Sequence, residues 1–93
     1  MDIKGRIVQS LAGHDKGHVF VVLDVQNEFL FLSDGKTRKA EKPKRKKRKH
    51  TKKILGIVSP LQEKILQGEK VLNSEIRKTL SQYAEKAIGE DQA

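Results

Sequence analysis

The stretch Gly5-Arg6-Ile7-Val8-Gln9-Ser10-Leu11-Ala12-Gly13-His14-Asp15-Lys16-Gly17-His18-Val19-Phe20-Val21-Val22 holds two apolar runs around a turn. The first run covers Ile3 to Leu11. Gly13-His14-Asp15-Lys16-Gly17 then places two glycines and an aspartate within five residues, which is turn chemistry. Val19 to Val25 follows as a β-branched run, with Val19, Val21, Leu23 and Val25 on one strand face. The reading is strand, turn, strand. Phe20 falls on the opposite face, where it is the best candidate for an exposed aromatic that stacks on bases.

Outward from this unit, Gln26-Asn27-Glu28 is a short polar connector. Phe29-Leu30-Phe31-Leu32 reads as a third strand, with Phe29 and Phe31 sharing a core face. Ser33-Asp34-Gly35 ends it, and the Asp-Gly pair is a hairpin signal. Three short strands with tight turns suggest a meander that opens a small barrel. Lys36 to Glu41 is assigned to a fourth strand, ended or edged by Pro43. A fifth short strand is placed near His50 to Leu55, because a small barrel needs closure. An extended loop suits the same basic residues equally.

The C-terminal part changes character. Ser59-Pro60 sets a capping residue before proline at a first helical position. Leu61, Ile65 and Leu66 share a face, and Gly68 stops the helix. Asn73 or Ser74 caps a second helix with Glu75 in its first turn. Ile76, Leu80, Tyr83, Ala84, Ala87 and Ile88 recur at helical spacing until Gly89. The expected organisation is a β domain over 1–55 and a helical extension over 56–93, with helices at about 60–67 and 75–88.

The chain of 93 residues carries a net charge of +8, unevenly spread. Residues 36–53 hold twelve Lys or Arg against the single Glu41, a balance of +11, whereas the other residues balance at −3. Concentrated charge points to a polyanionic partner, where dispersed charge would indicate only solubility. There are no cysteines, so disulfides and thiolate chemistry are excluded. No segment approaches the roughly 18 apolar residues of a membrane span, and the N-terminus lacks the apolar stretch of a signal peptide. The expectations are a cytoplasmic location, no membrane association, no cofactor and no small-molecule substrate. No Gly-x-Ser-x-Gly, Walker-type loop or dinucleotide fingerprint occurs, so the chain does not read as an enzyme. His14 and His18 are four apart but not on a helix, which argues against a metal site.

Residues 5–22 resemble a KOW motif: an apolar strand, a glycine loop with Lys-Gly, and a second apolar strand, with Gly13, Lys16 and Gly17 in the matching places. Lys42-Pro43-Lys44-Arg45-Lys46-Lys47-Arg48-Lys49-His50 is similar to the basic strand of one branch, the archaeal and eukaryotic KOW proteins of the large ribosomal subunit and their short bacterial relatives. Glu75-Ile76-Arg77-Lys78-Thr79-Leu80 resembles a helical ending of the bacterial members. The resemblance covers residues 4–53 and, more faintly, 54–93. It implies an SH3-like β-barrel with a C-terminal α-helical extension, and a ribosome-associated protein that binds ribosomal RNA of the large subunit. The amphipathic helix at about 75–88 either packs on the barrel or docks on a ribosomal or transcription protein. The family commonly has Arg where this chain has His14, which lowers the permanent charge of the loop.

Lys and Arg bind phosphate by neutralising it and releasing condensed counterions. The expected RNA contacts are Arg6, His14, Lys16, Lys36, Arg38, Lys39, Lys44, Arg45, Lys46, Lys47, Arg48, Lys49, Lys52 and Lys53. Two alternatives stand beside this reading: a transcription-associated KOW module that binds protein, and a nonspecific DNA-binding protein.

Overall fold

The computed structural model describes residues 3–53 and 60–91. Five strands form one antiparallel sheet: β1 Ile7–Ser10, β2 Val19–Gln26, β3 Phe29–Ser33, β4 Lys44–Lys47 and β5 Thr51–Lys53. Their spatial order is β4-β3-β2-β1-β5. Two helices follow, α1 Pro60–Leu66 and α2 Asn73–Asp91. Among the described residues, no helix is long and apolar enough to cross a membrane.

The sheet is not closed into a ring, and β4 and β5 are its edges. Yet these edges are consecutive in the chain, joined by the 3-10 turn Arg48–His50. In a flat five-stranded sheet the edges would lie about 19 Å apart, at about 4.8 Å per spacing. The steps from Lys47 to Thr51 reach at most about 14 Å. The sheet is therefore curled, with a concave and a convex face.

Both faces of β1 and β2 are covered. Ile3, Val8, Phe20, Val22, Leu30 and Leu32 form the concave core, with Val25 against it. On the convex side Ile7 and Val21 pack with Leu61 and Ile65 of α1, Val71, and Ile76 and Leu80 of α2. The apolar continuity of β2 has this cause: its alternate residues enter two different cores.

That arrangement corrects several expectations. Phe20 is 2% exposed and fills the concave core, so it is not an exposed stacker. Leu30 and Leu32 are the buried residues of β3, while Phe29 and Phe31 are only partly buried on the convex side. Val25 does not share a face with Val21. The register between β2 and β3 shifts between Val22 and Asp24, and a bulge of one residue inverts the side-chain alternation beyond it.

Lys36 to Glu41 forms no strand. The Asp34 carboxylate accepts from the backbone N–H of Lys36 (2.9 Å) and Arg38 (2.8 Å). Ser33 Oγ donates to the Arg38 carbonyl (2.6 Å). These local bonds satisfy the backbone in a turn and compete with a ladder. The fourth strand forms after Pro43, not before it. The fifth strand falls as expected at Thr51–Lys53; its predicted continuation to Leu55, and the cap at Ser59, lie outside the described residues.

The helices match their expected places, but α2 runs through Gly89 to Asp91. Its start also differs in mechanism. Leu72 offers its carbonyl to Glu75 N–H (3.0 Å) and Ile76 N–H (3.2 Å), and Glu75 Oε1 accepts from Leu72 N–H (3.0 Å). This reciprocal bond from the third helical position relieves Asn73 and Ser74 of the capping duty.

Candidate nucleic-acid interface

The alternation of β4 divides the basic run. Lys46 lies opposite Leu30 and Lys44 opposite Leu32, on the concave side. Arg45 lies opposite Phe31 and Lys47 opposite Phe29, on the convex side. Residues directly opposite one another in an antiparallel pair share a face, so adjacent cations of one run enter different surroundings.

The inward pair meets the Gly13–Gly17 loop. Gly13 and Gly17 take φ of +86° and +90°, a region open to glycine at no steric cost. Between them the chain turns Asp15 inward. Lys46 Nζ donates to Asp15 Oδ1 (2.6 Å), Ser10 Oγ (2.6 Å) and the Ala12 carbonyl (2.7 Å). Lys44 Nζ forms an ion pair with Asp15 Oδ2 at 2.5 Å. Ser10 Oγ donates to Asp15 Oδ1 at 2.7 Å. Lys46 is only 9% exposed, with all three of its ammonium donors engaged. Burial opposes ionisation of Asp15, but the Lys44 and Lys46 ammonium groups and the Ser10 hydroxyl outweigh it and hold the carboxyl well below the usual carboxylate range.

The structure thus places two of the expected phosphate ligands, Lys44 and Lys46, in an internal cluster. Their side chains are committed to Asp15, and Lys46 reaches solvent scarcely at all. The other cations of the run whose side chains are described stay outside it. Lys36, Arg38, Lys39, Arg45, Arg48, Lys49 and Lys52 are exposed, as are His14 and Lys16 on the loop, while Arg6 and Lys47 are partly buried. The backbone of Lys53 pairs with Val8.

Backbone bonds hold the 3-10 turn at both ends. Arg48 N–H donates to the Glu28 carbonyl (2.8 Å) and Leu11 N–H to the His50 carbonyl (2.8 Å). Arg48, Lys49 and His50 therefore sit between the β2–β3 hairpin and the Gly13–Gly17 loop. The loop 34–42 is fixed from the other side, by α2. Ala40 N–H donates to Asn73 Oδ1 (2.7 Å), Asn73 Nδ2 donates to the Glu41 carboxylate (3.0 and 3.1 Å), and Arg77 Nη1 donates to the Gly35 carbonyl (2.6 Å). The Asn73 amide also holds the Glu41 carboxyl below its ordinary value. Gly35 has φ of +72°, and a Cβ there would collide with the Asn73 carbonyl oxygen. The helix braces the loop that carries Lys36, Arg38 and Lys39.

Sequence reasoning missed Ser10, Asp15, Asn73 and Arg77. Asp15 is 31 residues from Lys46 and Asn73 is 33 from Ala40, so no local spacing marks either pair. Among the described residues no group of three His, Asp or Glu is placed to hold a metal.

Among the described residues, exposed Lys and Arg therefore lie on a braced loop, an edge strand and a tight turn. Comparison with models of known protein families finds none that matches the chain, and a search of curated proteins finds no match either.

Proposed function

We propose that this protein binds structured RNA, ribosomal RNA of the large subunit above all, through phosphate contacts from its exposed cations. The observation that carries the reading is the segregation of the basic run. The two cations that face inward are paired with Asp15, while Lys36, Arg38, Lys39, Arg48 and Lys49 remain exposed. Charge is kept outside at positions fixed by α2 and the 3-10 turn. A fixed array loses less freedom on binding than a floppy charged tail, and a rigid array suits a partner of defined shape.

The curled sheet supports a KOW-type, SH3-like barrel as the frame. Its edge strands are brought round by a three-residue turn, and the glycine loop beside them resembles the motif in sequence. Phosphate contacts position a protein but read no sequence, so selectivity in this reading comes from shape. RNA duplexes are recognised largely that way.

Co-sedimentation with ribosomal subunits across a salt series tests the proposal. With about six phosphates neutralised, log K falls against log salt with a slope of roughly −4 to −5. Retention on the large subunit supports the ribosomal assignment. A slope near zero, or preference for duplex DNA in competition, refutes it.

A further inference from the structure

The convex side of β3 and β4 carries a feature that phosphate binding leaves unused. Phe29 and Phe31 are partly exposed there and, among the described residues, join neither apolar core. Arg45, directly opposite Phe31 on the edge strand, places its guanidinium carbon 4.5 Å from the centre of the Phe29 ring. Arg45 is itself exposed. Lys47 stands opposite Phe29, and Arg48 follows it in the chain. The acidic groups nearby are Glu28, which is exposed, and Asp24, opposite Phe31 and paired with Lys4 at 3.6 Å.

We propose that the Arg45–Phe29 stack, with Phe31 beside it, is a seat for an unpaired nucleobase of single-stranded RNA. The proposal rests on the RNA-binding reading and assigns it a second mode. A guanidinium lying on a ring presents a flat, weakly hydrated, cationic surface, which a base can cover with its π face. An ammonium in the same place would offer a point charge and no plane. Lys47 and Arg48 supply cations where the phosphates flanking such a base would run. A paired base offers no free face, so the seat discriminates single strands and loops from duplex.

The test uses the full chain with two RNAs of equal charge: a short single strand carrying one 2-aminopurine, and a blunt duplex. Arg45→Lys keeps the charge and removes the plane; Phe29→Leu keeps an apolar group and removes the ring. Each variant is expected to bind the single strand about tenfold more weakly and to lose the fluorescence quenching of the stacked 2-aminopurine. Affinity for the duplex is expected to stay within about twofold of the parent. Circular dichroism checks folding. If Phe29→Leu unfolds, Arg45→Lys decides alone, since its side chain is exposed on an edge strand. Equal losses on both RNAs, or no loss on either, overturn the seat and leave RNA binding standing. Failure of the parent protein to bind either RNA at low salt overturns both.

Discussion

Replacing Asp15 with Asn removes one negative charge and leaves two ammonium groups facing a neutral amide. Lys46 then keeps its bonds to Ser10 Oγ and the Ala12 carbonyl, but its charge stays in a site where its side chain is 8% exposed. Breaking a fully buried pair costs about 3–5 kcal/mol. Asp15 and Lys44 are 11% and 22% exposed, so water relieves part of that cost and about 2–3 kcal/mol is expected. For a domain of this size that lowers Tm by about 10–20 °C. Urea unfolding of Asp15→Asn, Lys46→Met and the double variant isolates the pair. The double variant should recover much of the loss, with a coupling of about 1.5–3 kcal/mol.

The pH dependence gives a second readout of the same contact. The folded Asp15 carboxyl sits below its unfolded value, so its stabilisation is complete above the ordinary carboxylate range. It drains away as pH falls from about 4 toward the depressed folded value, because the unfolded chain takes up the proton first. The parent protein should lose stability below pH 4 faster than Asp15→Asn, and the two curves should converge. Curves that stay parallel, or a neutral-pH difference below about 0.5 kcal/mol, would refute the buried-pair account.

Three further outcomes are expected. Gly35→Ala forces a Cβ into the left-handed region and against the Asn73 carbonyl, so it should cost about 2 kcal/mol or more in urea unfolding; a neutral result would mean that α2 does not brace the loop. Phe20→Ala should cost about 3–5 kcal/mol, whereas Phe31→Ala should cost clearly less, and equal losses in thermal melts would contradict the assignment of Phe20 to the concave core. Replacing Lys36, Arg38 and Lys39 together with Gln should leave stability within about 0.5 kcal/mol but flatten the salt dependence of RNA binding by a slope of about 2; an unchanged slope would remove this loop from the interface.

The elements that sequence reading placed well are those with strong local signals. Two glycines around Asp15 mark a turn because few other residues take positive φ. Val19–Val25 marks a strand because β-branched side chains suit a pleated surface. Pro60 marks a helix start because its missing N–H is unneeded there. The readings that failed depended on what lies across the sheet. Phe20 looked exposed because a half-buried strand was assumed, yet helices cover one face of β2 while the curl of the sheet covers the other. Lys36–Glu41 looked like a strand until Asp34 supplied its backbone with nearer partners.

The amino-acid sequence by itself determined the concentration of cations, the order of strands and helices, and the glycine loop, because composition, periodicity and turn chemistry act over a few residues. Only the tertiary structure decided what each cation does. All four residues Lys44, Arg45, Lys46 and Lys47 are long cations in one run, but the register of β4 against β3 turns Lys44 and Lys46 toward Asp15 and the others outward. A charge run announces affinity for anions. The direction of each charge is set by the register of β4 against β3, and the contacts that hold Lys46 inward come from residues more than thirty positions away, which meet it only once the sheet has curled.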